Sequence, residues 1–142
     1  MIQKSQIIPL ILVRCPSFTP LWEKHRAQWK GEEAGIYNDL REFVTFIVDC
    51  YARQDTEPIP AAFGLIEELL DAGDQEVRNA AGVGFLEDVR NIASWRPFGE
   101  AVFIQWLGPK SKQAWGEIEE MWRGKRSLAD VIRAEKAAKK KP

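Results

Sequence analysis

The chain has 142 residues, of which 45% are hydrophobic and 29% are charged. This length and composition favour one soluble globular domain and exclude a wholly disordered chain. The net charge is only −1, but residues 31–89 carry three basic and fourteen acidic side chains, whereas residues 1–30 and 90–142 are both basic in balance. The near-neutral total therefore results from an acidic middle and two basic ends.

The first predicted element is the apolar run from Ile7 to Val13. Seven residues are too few to span a bilayer. A signal peptide is also disfavoured, because Pro9 interrupts the run and no A-x-A site follows it. We expect a first helix that starts near Ser5, in a cytoplasmic protein without membrane contact.

The next three helices follow from capping residues and apolar spacing. A second helix is expected over 19–31, with Thr19 as N-cap and Gly31 as its stop. Apolar side chains at i, i+3, i+4 and i+7 predict a third helix over 40–51. A fourth is predicted over 60–72, with Gly73 directly after it.

The second half of the chain has the same helical spacing. Asp74 is a suitable N-cap for a fifth helix over 74–92, and its small residues at 80, 81, 82 and 84 would let another helix approach closely. Further helices are predicted over 98–107 and 111–123. Ser127 and Asp130 match a capping box, which predicts that a last helix starts there.

These elements indicate an all-α protein of seven or eight short helices in antiparallel helical hairpins. No segment shows a convincing strand alternation. The Gly-Asp turn within 71–76 is of the kind that joins helices in α-solenoids, so the bundle is weakly HEAT-like, although no repeat of fixed period is present. We expect a single domain over 1–135 and a basic, frayed tail over 136–142.

One segment resembles a known family. Residues 73–79, Gly-Asp-Gln-Glu-Val-Arg-Asn, followed by Phe-Leu-Glu at 85–87, resemble a small bacterial family of uncharacterised helical proteins. Members of such families are often similar to immunity proteins of bacterial toxin systems. The resemblance implies a non-enzymatic protein that binds one cognate toxin domain and blocks its active site. It implies no catalytic residues.

The acidic middle of the chain suggests how such a partner would be bound. An acidic surface docking on a basic active-site cleft would give fast, electrostatically steered association. The proposed partner-binding residues are Glu67, Glu68, Asp71, Asp74, Glu76, Glu87, Asp88 and Trp95. The alternative is a solvated helix face, and Asp74 and Glu76 are also explained as helix-start residues.

The six tryptophans fall into two groups. Those on apolar helical stripes are predicted to lie in the core, namely Trp22, Trp115 and Trp122. Those near helix breaks or charged neighbours are also predicted to lie in the core, with an exposed interface anchor as the alternative, namely Trp29, Trp95 and Trp106.

Other chemistries have little support in the sequence. His25 is the single histidine, which excludes multi-histidine metal sites, and Cys15 and Cys50 are expected to be free core thiols. We expect no metal and no cofactor. The basic C-terminal segment lacks interleaved aromatics, so it favours a solubilising tail over nucleic-acid binding.

Two alternative functions stay open at this stage. A helical adaptor would bind a peptide or helix in an exposed apolar groove between hairpins. A carboxylate-metal enzyme would need at least three acidic side chains that converge on one point.

Overall fold

The computed structural model describes the backbone of residues 1–139 and the side chains of residues 1–124. Seven α-helices lie in this range: α1 (Ile7–Arg14), α2 (Thr19–Gln28), α3 (Ile36–Ala52), α4 (Ile59–Ala72), α5 (Gln75–Asn79), α6 (Asp88–Ser94) and α7 (Pro109–Lys139). A π-helical segment, Ala80–Glu87, joins α5 to α6. Short 3-10 helices occupy Lys4–Gln6, Pro16–Phe18 and Ala101–Trp106. The prediction of an all-α fold is confirmed.

The N-terminus is fixed to the turn between α4 and α5. The backbone N–H of Ile2 donates to the carbonyl of Ala72 (2.9 Å), and the carbonyl of Ile2 accepts from the N–H of Asp74 (3.1 Å). The Asp74 carboxylate accepts from the N–H of Val77 (2.9 Å), which confirms the predicted N-cap. The predicted cap at Thr19 is not made, because the 3-10 turn before it leads directly into α2.

The core surrounds α3, which packs against α2, α4, α6 and the π-helical segment. Buried phenylalanines from several elements meet there: Phe18, Phe43, Phe46, Phe63, Phe85 and Phe103. Fully burying such a side chain stabilises the fold by about 1.5–3 kcal/mol. Cys15 and Cys50 are free and buried in this core, as predicted. Burial raises the pKa of the Cys15 thiol to about 11, which disfavours the reactive thiolate.

The predicted fifth helix is not uniform. Its trace continues from Gln75 to Ser94, but the eight residues at its centre are π-helical. The expected close approach is confirmed at Gly84, where an added Cβ would lie 2.9 Å from Leu40 Cδ1 and 3.1 Å from Tyr37 Cδ1. Gly82 has no such neighbour within 4 Å, so its lack of a side chain is not needed for packing.

Two predictions for the C-terminal third are wrong. Residues Ala101–Trp106 form a 3-10 helix rather than an α-helix. The segment is short because Gly99, with a φ of +71°, precedes it and Leu107 leaves the helix with an extended backbone, and short connectors of this kind are often 3-10. The second error concerns Ser127, where no new helix begins, since α7 continues from Pro109 to Lys139. A glycine inside a helix costs only about 1 kcal/mol, and Gly124 therefore does not interrupt α7.

The predicted tail starts inside α7. Residues 136–139 belong to this helix, and positions 140–142 lie outside the described residues. Within the range that the structure describes, no helix combines the length and the apolar character that crossing a membrane requires.

Candidate functional site

Glu67 connects α4 to the start of α7. Its Oε1 accepts from the backbone N–H of Lys110 (2.6 Å), and its Oε2 accepts from the N–H and the hydroxyl of Ser111 (3.0 and 2.9 Å). Gly108 makes this approach possible, since a Cβ there would lie 2.6 Å from Glu67 Cδ. Burial raises the pKa of Glu67, but the three hydrogen bonds and the Lys110 charge outweigh it and lower the pKa overall. Glu67 is thus an anionic cap of the α7 N-terminus.

Three further acidic side chains pair with cations from the basic ends of the chain: Glu68 with Arg14, Asp71 with Lys110 at 3.1 Å, and Glu76 with Lys4 at 3.4 Å. The hydrogen bond from Arg14 lowers the pKa of Glu68. The segments of opposite charge therefore meet in the fold. A partner that approached this face would meet carboxylates that already have cationic or N–H partners within the chain.

The last two acidic candidates, Glu87 and Asp88, differ in their surroundings. Asp88 is largely buried and lies 3.7 Å from Arg41 Nε. Burial raises the pKa of Asp88 although Arg41 opposes the shift. Glu87 is the one member of the acidic set that makes no ion pair or side-chain hydrogen bond with a described residue.

Trp95 is the most exposed of the large aromatic side chains in the described range. It follows the end of α6, and 90% of its surface is open to solvent. By comparison, Trp29 is 38% exposed and Trp115 is buried. Exposed tryptophans are enriched among interface anchors.

Trp95 lies at the edge of a cleft of about 600 Å³ between α6 and α7. Asn91 and Ser94 from α6, and Glu119 and Arg123 from α7, line it together with Trp95. The remaining lining comes from Trp122, Arg90 and Glu100. The cleft is polar apart from its two indoles, and its size is that of a ligand or side-chain binding site.

Arg90 joins the walls of this cleft. Its guanidinium carbon lies 4.9 Å from the ring centroids of both Trp115 and Trp122. Its Nη1 donates to the carbonyl of Trp115 (3.0 Å) and its Nη2 to Glu100 Oε1 (3.4 Å). The side chain is buried, and no described acceptor reaches its Nε. Arg90 thereby fixes Trp122 and Glu100 in the lining.

Sequence reasoning missed Arg90, although a signal was present. Arg90 lies four residues after Leu86 and three before Ala93, and all three are buried on one stripe of the helix. A charged side chain on an apolar stripe must find partners inside the fold. That position could have indicated an internal arginine.

The cleft keeps carboxylate oxygens available. Glu100 uses Oε1 for Arg90, and Glu119 uses Oε1 for Arg123 at 3.0 Å. The Oε2 atom of each glutamate has no hydrogen-bond donor among the described side chains. The cleft therefore offers anionic acceptors beside an exposed indole.

A second polar cluster surrounds His25. Its Nε2 lies 2.9 Å from Asp39 Oδ1 and its Nδ1 lies 3.7 Å from Glu42 Oε1. The ring packs on Trp22 with centroids 5.7 Å apart, and the side chain is buried. This cluster holds α2 against α3, and we assign it a structural role.

Among the side chains of residues 1–124, no group of three or more His, Cys, Asp or Glu lies close enough to hold a metal ion. The acidic residues on α4 and around α5 thus do not converge on one point within this range.

The fold and the cleft define a small all-α protein with a polar, tryptophan-edged surface site. The chain belongs to the family described as a domain of unknown function (DUF7674), whose model matches residues 8–123. This match includes every residue assigned above to the cleft. No curated protein and no solved structure matches the chain.

Proposed function

We propose that the protein is a non-enzymatic binding protein of the bacterial cytoplasm that neutralises a cognate toxin domain by covering its active site. The observation that carries this proposal is Trp95, an indole 90% exposed at the edge of a polar cleft. Exposed tryptophans with polar neighbours are typical anchors of protein interfaces.

The structure narrows the surface that we propose for docking. Five of the acidic candidates are engaged by internal cations or helix termini, namely Glu67, Glu68, Asp71, Asp74 and Glu76. Glu87 has no such partner among the side chains of residues 1–124 and lies four residues before Asn91, which lines the cleft. Positions four apart share one helix face. We therefore centre the proposed interface on Trp95, with Glu87 beside it.

The charge of this surface fits a basic partner. In the cleft, Glu100 and Glu119 are balanced by Arg90 and Arg123, so the net negative charge beside the indole comes from Glu87. Many toxins that attack nucleic acids have basic clefts, which such a carboxylate would contact. Complementary charge at the rim of an interface increases the association rate more than the affinity. High salt is therefore expected to slow formation of the complex.

The two alternatives have less support. A peptide-binding adaptor predicts an apolar groove, whereas this cleft is lined mainly by charged and amide side chains. A carboxylate-metal enzyme predicts at least three converging ligands, and the described side chains contain no such group.

The proposal is tested with the toxin domain encoded beside the gene of this protein. We expect the two proteins to form a complex at low salt that elutes from gel filtration as one species. We expect the toxin domain to be inactive in this complex. Failure of every neighbouring toxin domain to bind at low salt would contradict the proposal.

A further inference from the structure

We propose that the Trp95 cleft receives a basic side chain, an arginine or a lysine, from its protein partner. The inference rests on the proposed function only in assuming that the partner is a protein. It assigns the chemistry of recognition, which the proposed function leaves open.

The hydrogen-bond acceptors of the cleft favour a cationic guest. Glu100 and Glu119 each keep one carboxylate oxygen without a described donor, and both line the cleft. A guanidinium or ammonium group is the strongest donor that these oxygens can receive. An incoming anion would instead be repelled by both carboxylates.

Both arginines of the cleft already donate to a glutamate of the same cleft. Arg90 is buried between two indoles and donates to Glu100 and to a backbone carbonyl. Arg123 donates to Glu119 at 3.0 Å. An anionic guest would compete with the glutamate that each arginine already binds.

The fold already contains one contact of the proposed kind, an arginine that lies on an indole and pairs with a glutamate. Arg90 places its guanidinium on Trp122 and donates to Glu100. The exposed ring of Trp95 and the unpaired oxygen of Glu119 provide the same two kinds of group in the same cleft, with no occupant from the described residues. An arginine from a partner would complete this second set through a cation–π contact and an ion pair.

The test uses the full chain and a small probe rather than the partner. N-acetyl-arginine amide is titrated into the ¹⁵N-labelled protein, and the indole N–H signals are followed by NMR and assigned with Trp→Phe variants. We expect a saturable shift of the Trp95 signal. The neutral citrulline analogue should bind about tenfold more weakly, since it lacks the charge.

Matched variants locate the site. Glu119→Gln should weaken probe binding several-fold, whereas Glu120→Gln, next to it on α7 and exposed, should leave it unchanged. Equal binding of the citrulline analogue, tighter binding of N-acetyl-glutamate amide, or no shift of Trp95 would each overturn the inference.

These results do not depend on a toxin. A toxin complex that forms although the probe fails would leave the proposed function standing, and probe binding without any toxin complex would contradict the proposed function alone.

Discussion

At the level of single residues, Glu67 stabilises the junction between α4 and α7 because its carboxylate accepts three hydrogen bonds from Lys110 and Ser111. The first N–H groups of a helix have no partners within the helix, so an anion at this end satisfies them and interacts favourably with the helix dipole. Gly108 keeps the path to these donors open.

Glu67→Gln should therefore lower the free energy of unfolding by about 1–3 kcal/mol at neutral pH. An amide nitrogen would face N–H donors and leave at least one of them without an acceptor. The lowered pKa of Glu67 means that its contribution is fully present above the ordinary value of 4.5 and is lost as the pH falls through the lowered pKa. The difference between variant and wild type should accordingly shrink in acid.

Urea unfolding at several pH values measures this difference, with Glu120→Gln as control. Glu120 is exposed on α7 and makes no described ion pair, so its variant should unfold like wild type. A Glu67→Gln effect that is absent at neutral pH, or that grows as the pH falls, would contradict the capping role.

Four residues illustrate which side-chain roles can be predicted from the sequence and which cannot. Asp74 was predicted correctly as an N-cap, because capping depends on local sequence. For Trp95 the sequence favoured the core and gave an exposed anchor as the alternative, whereas the side chain is 90% exposed just after the end of α6. Arg90 was missed and Glu67 was assigned to the surface, because their partners are 10 to 44 residues away along the chain.

At the level of elements, the contact between α3 and the π-helical segment depends on Gly84. Leu40 lies in the core and cannot move away freely, so a methyl group at position 84 overlaps with it. Gly82 is two residues away in the same segment and has open space at its Cβ position. The two glycines thus form a matched pair for separating packing from helix propensity.

Gly82→Ala should raise the free energy of unfolding by about 0.5–1 kcal/mol, because alanine loses less backbone freedom on folding than glycine. Gly84→Ala should be less stable than Gly82→Ala by about 1–3 kcal/mol, the usual cost of overpacking. Thermal unfolding of the two variants measures this difference. Equal stabilities would show that the close approach of α3 at Gly84 does not constrain the fold.

The existence of most elements follows from apolar spacing, which fixes the buried face of α3 and α4 without knowledge of the rest of the chain. Whether a helical segment is α, π or 3-10 depends less on its local sequence. The π-helical segment contains Gly82 and Gly84, which weaken the preference for α-helix, whereas the 3-10 helix Ala101–Trp106 contains no glycine and its type does not follow from its local sequence. The continuity of α7 through Gly124 likewise contradicts a break inferred from local sequence alone.

At the level of the whole molecule, the fold brings the acidic middle of the chain and its basic ends together. Lys4 and Arg14 approach from the N-terminal side and Lys110 from the C-terminal side. Exposed ion pairs of this kind contribute only about 0–1 kcal/mol each to stability. Their larger effect is to reduce the negative electrostatic potential around the acidic residues 31–89. For this reason the proposed interface is centred on Trp95.

Trp95 is the proposed anchor of the partner. The most direct test is the Kd of the complex with the neighbouring toxin domain for wild type, Trp95→Ala and the control Trp29→Ala. Trp29 is a second partly exposed indole, and it packs against His25 on α2, away from the cleft. Because Trp95 is 90% exposed, its replacement should change the free energy of unfolding by less than about 0.5 kcal/mol.

We predict that Trp95→Ala weakens binding by at least about 2 kcal/mol, or about thirtyfold in Kd, as for an interface hot spot. Trp29→Ala should change the Kd by less than about threefold, which corresponds to roughly 0.7 kcal/mol. A Trp95→Ala protein that is folded and binds the toxin domain as tightly as wild type would contradict the account.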